Sequence, residues 1–239
     1  MVLFKDAEDA VLHLNRKQVV AIDHVKETAK YDKIFREVSE PLTTLFIDKI
    51  LRWNIRHIET LKDKLHTTRQ REVDVIKRVT DSDGKQHIFH MEVQAGNDAD
   101  MPIRMAEYYI MLHRIYKLPI RQYVLYIGKG TANMPRKLDL PNLHFEYPLI
   151  SLNDLPHELF MSTDLKISML AILGDLKGKD PKKVTKKIIE LIKRGNVSTE
   201  EKKQQFMQLR TIAQLRPQYK IMEDIMLDTS TFFKIENDP

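Results

Sequence analysis

Asp74, Glu92 and Gln94 are the residues whose types and spacing could do chemistry. They belong to the stretch Arg71–Gln94, REVDVIKRVTDSDGKQHIFHMEVQ, which reads as a β-hairpin. The arms are Glu72–Val79 and Gln86–Gln94, and the turn is Asp81-Ser82-Asp83-Gly84. Side chains two apart on a strand share a face, so Glu92 and Gln94 are co-facial. If Asp81–Lys85 is the loop, Thr80 faces Gln86 and Asp74 falls opposite Glu92. The same register pairs Val73 with Val93 and Val75 with Met91 on the other face, whereas a one-residue slip would separate the two acids. Cross-strand neighbours lie about 5 Å apart, close enough to share a cation. Hard oxygen ligands held rigidly suit Mg²⁺, with Mn²⁺ as a substitute, and such a site can cut phosphodiesters. The alternative is a pair of solvent-facing acids in salt bridges with Lys77, Arg78 or Arg104.

The elements that must position these residues follow from periodicity. Residues 1–30 form an arm without a clear pattern. From Tyr31, apolar residues Ile34, Phe35, Val38, Leu42, Leu45, Phe46 and Ile50 recur at helical steps. Glu40-Pro41 predicts a kink or two consecutive helices, about 31–38 and 40–53. His57–Thr68 is ambiguous and is read as a first strand because it adjoins the hairpin. Ala99–Leu118 is helical, with Ile103, Ala106, Ile110 and His113 at helical spacing and Asp100 as its cap before Pro102. Gln122–Gly128 has the nearly continuous apolar character of a buried central strand. His144–Leu152 is a further strand, edge or irregular because of Pro148.

Past Asn153-Asp154 strand signals vanish. Helical, Lys-rich segments follow at Leu155–Phe160, Asp164–Leu173, Lys182–Arg194, Thr199–Arg216 and about 218–227. The segment PKKVTKKIIELIKR puts Val184, Ile188, Leu191 and Ile192 on one face. Its lysines, Lys182, Lys183 and Lys186 among them, either grip a nucleic-acid backbone or form a solvated face. The chain thus divides into an arm, 1–30, a core, 31–152, and a helical region, 153–239.

Composition narrows the classes. The 239 residues carry a formal charge of +5, which favours anionic partners such as nucleic acid. There is no cysteine, so disulfides, thiolate zinc sites and cysteine nucleophiles are excluded. The opening MVLFKDAEDA lacks a signal-peptide pattern, and no apolar run reaches the length of a membrane span, so a cytoplasmic protein is expected. Asp81-Ser-Asp83 begins like a calcium loop, but Gln86 stands where glycine is required. Gly174-Asp-Leu-Lys-Gly178-Lys179-Asp180 is only loosely like a phosphate loop, with short spacing and no Ser/Thr after the lysine. His90 shares the Glu92 face and is either a third ligand or a structural histidine.

A family resemblance adds to these readings. Strand-borne Asp followed by Glu-x-Gln resembles the PD-(D/E)XK nuclease superfamily, whose core runs helix, three strands, helix, strand. More closely, the chain resembles the Rpn-type recombination-promoting nucleases, a transposase-related (YhgA-like) group. Tyr31-Asp32-Lys-Ile-Phe35-Arg36 is similar to that family's opening helix. Glu72-Val-Asp74 with Met91-Glu92-Val93-Gln94 is similar to its D…E-x-Q core, and Asp100-Met101-Pro102-Ile-Arg104 with Tyr108 to its M-P-x-R helix. The resemblance covers about residues 31–152. It implies an α/β, restriction-endonuclease-like core, with a helix, a mixed central sheet of four to five strands and a flanking helix, followed by the helical C-terminal region. It implies a Mg²⁺-dependent DNA endonuclease linked to recombination or mobile elements, with Asp74, Glu92 and the Val93 carbonyl as metal ligands. Gln94 stands where the wider superfamily has lysine; it can orient a water but supplies neither charge nor base. Asp32 reaches the metal through water or caps its helix. Arg104 clamps a phosphate or pairs with Glu92 or Asp74. Double-strand cutting by such a site implies a homodimer. The competing function is a non-catalytic nucleic-acid-binding or interaction protein on the same fold.

Overall fold

The computed structural model describes residues 31, 34–35, 37–61, 75–176, 178–217, 219–220 and 222–225. Asp32 and Asp74 lie outside the described residues, as do the arm 1–30 and the segment 62–74.

Five strands form one mixed sheet in the order β1-β2-β3-β4-β7. β1 (Ile55–Thr60) and β2 (Val75–Asp81) are antiparallel, as are β2 and β3 (Gln86–Gln94). β3, β4 (Ile120–Tyr126) and β7 (Leu149–Ser151) are mutually parallel neighbours. A separate hairpin, β5 (Lys137–Leu140) and β6 (Leu143–Glu146), lies between β4 and β7 in sequence. The expected strand at 144–152 is therefore two strands, one in each sheet. Pro148 falls at the break, and its carbonyl accepts from Val124 N at 3.0 Å.

The hairpin register is the expected one wherever it is described: Thr80 pairs with Gln86 and Val75 with Met91. Its turn is held by Asp81, whose Oδ1 accepts from the backbone N–H groups of Asp83 (3.0 Å) and Lys85 (2.9 Å). Gly84 takes the left-handed conformation, φ 82°, that completes the turn without a Cβ clash.

The first helix, α1, covers 37–45, with helical backbone also at 31, 34 and 35. It passes unbroken through Glu40 and Pro41, so the expected division into two helices is not found. The irregularity falls later, in the π-helical turn Phe46–Ile50. Proline removes only one donor, and Thr43 and Thr44 donate their hydroxyls to the Ser39 and Glu40 carbonyls in the same turns.

Helix α2 (Met101–Tyr116) crosses between β3 and β4 and covers one sheet face. Its buried side is Met101, Met105, Tyr108 and Leu112, packed with Ile76, Ile88, Val124 and Tyr126 of the sheet. Of the expected stripe Ala106 is buried, whereas Ile103, Ile110 and His113 face outward, the two isoleucines 49% and 59% exposed. Two stripes of similar apolarity compete on this helix, and the methionine-rich one wins the core. The cap also differs. Asp100 makes no side-chain cap bond, while Asp98 Oδ1 accepts from Asp100 N at 2.9 Å.

The opposite face is covered by α1 and by the helices beyond Asn153: α3 (Leu165–Leu170), α4 (Pro181–Arg194) and α5 (Thr199–Ala213). One apolar cluster joins Val75, Val79, Phe89, Met91, Leu125 and Ile127 to Phe46, Phe160, Ile188 and Phe206. Burying each such side chain contributes about 1.5–3 kcal/mol. On α4, Val184, Ile188 and Ile192 are buried as the pattern predicted, with Ile189 beside them. Asp180, Ser198 and Asp164 cap α4, α5 and α3 through their side chains. The expected helix Leu155–Phe160 is a 3₁₀ turn, His157–Phe160.

Candidate active site at the carboxyl end of the third strand

Alternation along β3 places Ile88, His90, Glu92 and Gln94 on the face covered by α2. Glu92 is buried, 4% exposed, and stands beside Val124 of β4; Gln94 follows, half-buried, beside Tyr126. Val93 points the other way, into the second core. A carboxylate this deep in a strand is unusual, because burying its charge is costly unless hydrogen bonds or a cation compensate.

His90 is fully buried two residues before Glu92. The Gln122 side-chain nitrogen donates to the Met105 carbonyl at 3.1 Å and lies 2.8 Å from His90 Nδ1. A carbonyl can only accept, so this amide nitrogen is the donor to both, and His90 carries its proton on Nε2. Tyr108 meets the imidazole edge-to-face at 5.3 Å. Burial, reinforced by the Arg104 charge, pushes the His90 pKa down to about 3, so the ring is neutral throughout the physiological range. Its Nδ1 lone pair is already used and its Nε2 is protonated. His90 is thus arranged as a structural histidine of this face and not as a metal ligand. His90 Nε2 and Gln122 Oε1 meet no hydrogen-bond partner among the described residues. Two such buried orphans on neighbouring, hydrogen-bonded side chains are a departure from ordinary core packing.

Of the two acids offered as partners of Arg104, Asp74 lies outside the described residues. Arg104, on the first turn of α2, does not pair with the other, Glu92. Its Nη2 pairs with Asp98 at 3.3 Å, and its side chain is 14% exposed. The same guanidinium lies near Tyr147, whose hydroxyl donates to the Pro135 carbonyl at 2.5 Å. Burial raises the Tyr147 pKa to about 12, so the phenol stays protonated.

The loops after β3 and β4 are locked together behind this face. Gln94 O accepts from Ile127 N at 2.8 Å, and Asn97 bridges to Thr131 O and Asn133 N. Gly128 packs so closely that an added Cβ would lie 2.0 Å from the Ala95 carbonyl.

The three candidate lysines fall on α4, away from Glu92 along the chain and on the other sheet face. Lys183 and Lys186 are exposed and Lys182 is half-buried. Sequence reasoning placed Glu92 and Gln94 on one face and missed Gln122 and Asp98. Gln122 is a polar residue at the head of the apolar run Tyr123–Ile127, and that was its only signal. Among the described residues, no group of three acidic or histidine side chains converges. No helix among them is long and apolar enough to cross a membrane.

No family model matches this chain, and no curated protein or solved structure matches it either.

Proposed function

We propose that this chain is a divalent-metal-dependent DNA endonuclease whose site is built on the β2–β3 hairpin. The observation that carries this reading is Glu92, a carboxylate 4% exposed near the carboxyl end of β3, with Gln94 next on the same face. Two features support it. The hairpin follows, from Thr80–Gln86 to Val75–Met91, the register on which the pairing of Asp74 with Glu92 was expected. The order of elements, helix, three antiparallel strands, helix and a parallel strand, is compatible with a nuclease-like core.

The donor chemistry fits a hard cation: Glu92 and Asp74 would hold Mg²⁺ or Mn²⁺ by carboxylate oxygens, with the Val93 carbonyl as a third ligand. Such a bound ion supplies charge to the scissile phosphate and a hydroxide at neutral pH. Gln94 orients the attacking water through its amide. Asp32 assists through a further water. Arg104 is held on α2 by Asp98, from where its guanidinium can contact a phosphate, and Lys182, Lys183 and Lys186 extend the contact to the backbone of longer DNA. Recombination or mobile-element biology, a homodimer and a cytoplasmic location belong to the same reading.

The test is supercoiled plasmid incubated with purified protein and Mg²⁺ or Mn²⁺. Nicking that needs the metal and disappears in Asp74→Ala and Glu92→Ala is the expected result; undiminished cutting in both variants overturns the site. A second reading, a nucleic-acid-binding protein without catalysis, is favoured by two observations. The position two residues after Glu92 carries a neutral amide, and Arg104 is already paired with Asp98. Salt-sensitive DNA retention without nicking would establish it.

A further inference from the structure

A cleft of about 530 Å³ opens beyond the carboxyl ends of β4 and β7, the same edge of the sheet at which β3 carries Glu92 and Gln94, but neither of those residues lines it. Its walls are the loop after β4, the turn after Ser151 and, ahead of α4, residues 174–176, 178, 179 and 181; Arg216, just past α5, lines it. The size is that of a site for a small organic ligand, and the crevice outside the carboxyl ends of parallel strands is a common place for one.

Arg216 is the unusual element. It is 6% exposed. Its Nη1 donates to the carbonyls of Ile127 (3.3 Å), Gly128 (3.1 Å) and Leu215 (3.1 Å), and its Nη2 to the carbonyl of Leu173. Among the described residues no carboxylate pairs with it, and its Nε is enclosed without an acceptor. Burial lowers its pKa to about 10, which leaves it charged at neutral pH. Carbonyl dipoles orient the guanidinium but do not cancel its charge, and a buried cation without a counter-ion is costly. A purely structural clamp on these carbonyls needs donors, not a full charge. The adjoining cleft is where a countercharge can enter.

The remaining lining narrows the ligand. Asp154 is exposed at the rim and Asp175 half-buried beside it, so a bare polyanion is disfavoured, whereas a ligand with hydroxyls can donate to them. Asn153 is fixed by donating to the Gly128 and Gly130 carbonyls at 3.3 and 2.9 Å. Lys179 is turned to Glu158. The start of α4 is already capped by Asp180, so the helix end is not the attraction. Of the Gly174–Asp180 stretch, which fails as a phosphate loop on spacing, Gly174, Asp175, Leu176, Gly178 and Lys179 nonetheless line the cleft. Gly178 there and Gly130 opposite both take left-handed turns, φ 75° and 76°.

We propose that this cleft binds a small ligand that carries a phosphate monoester on a hydroxylated skeleton, with the phosphate toward Arg216 and hydroxyls toward Asp154 and Asp175. The ligand is either a free sugar phosphate or nucleotide, or the 5′-phosphate end of a nucleic acid. The site is separate from Glu92 and stands or falls independently of the nuclease reading.

The test is calorimetric titration of the full chain with ribose 5-phosphate, ribose and inorganic phosphate. Saturable binding of ribose 5-phosphate is expected, at least tenfold tighter than inorganic phosphate, with none for ribose. Thr131→Trp, at the exposed rim, should abolish it without lowering Tm, and Asp154→Asn should weaken ribose 5-phosphate more than inorganic phosphate. Glu92→Ala should leave it unchanged. Arg216→Lys, if folded by circular dichroism, should weaken binding at least tenfold. Competition by a 5′-phosphorylated oligonucleotide, but not by its unphosphorylated form, identifies a nucleic-acid end as the source; absence of competition identifies a free metabolite. No saturable binding of ribose 5-phosphate at millimolar concentration, or binding indifferent to Thr131→Trp, overturns the proposal.

Discussion

The two faces of the central sheet are built on different terms. The face under α1, α3, α4 and α5 is mainly hydrocarbon and aromatic surface: Phe89 stacks with Tyr123 at 5.7 Å, and Phe46 and Trp53 close the cluster. Of its two buried polar strand residues, Lys77 is held by Glu40 and Thr60, while His87 packs on Trp53. The face under α2 has methionines and tyrosines, yet it also buries His90, Glu92 and Gln122 in adjacent strands. Polar groups at such depth cost stability unless fully satisfied, and here His90 Nε2 and Gln122 Oε1 have no partner among the described residues, against His87 Nε2 alone among the strand residues of the other face. The face under α1, α3, α4 and α5 therefore holds the larger apolar cluster. The other gives up some stability to hold polar groups in fixed positions, as functional sites commonly do.

The contrast can be broken by mutation. The largest effect is expected from Phe206→Ala, fully buried in the helical layer, which should cost about 3–5 kcal/mol in urea unfolding. A loss below about 1 kcal/mol would mean that layer is not the stabilising one. Glu92→Gln should do the reverse. Stability should change by less than about 1 kcal/mol, while plasmid nicking falls by roughly 100-fold or more, since even the partners of metal ligands matter 10–100-fold. Equal losses of both would erase the distinction between the faces.

A pH series sharpens the same point. His90 has a folded pKa near 3 against an ordinary 6.5, so between those values the unfolded chain binds more protons. Stability due to this group is complete above about pH 6.5 and is lost as pH falls below it, roughly 1–2 kcal/mol by pH 5. His87, on the opposite face against Trp53 and lowered to about 4 by burial and Arg121, acts in the same direction. Comparing wild type with His90→Gln by denaturation at pH 7 and pH 5 should show the variant losing less on acidification; identical pH slopes would contradict a neutral buried imidazole. The smallest stability effect belongs to Lys183→Gln with Lys186→Gln, both exposed, at within about 0.5 kcal/mol. DNA retention should nonetheless weaken, with a salt dependence shallower by about one unit per lost phosphate contact. An unchanged salt slope would return these lysines to the role of a solvated face.

Much of this arrangement is local in origin and so can be read in the chain itself. Alternation and turn chemistry specify the β2–β3 hairpin, because Asp81 and Gly84 act on neighbours within four residues and any slip would expose Val75 and Met91. The amphipathic pattern of α4 and its Asp180 cap are equally local. Three things were decided only in three dimensions. Which of two stripes on α2 is buried depended on the sheet surface it met, and the methionine side fitted against Ile88 and Val124. The strand at 144–152 was divided because Pro148 cannot continue a ladder while Leu149–Ser151 could still pair with β4. Three of the four carbonyls that hold Arg216, those of Ile127, Gly128 and Leu173, come from loops far from it in sequence. Periodicity reports which side of an element is apolar; it carries no information about which distant loop closes over a charge, and that is settled by packing alone.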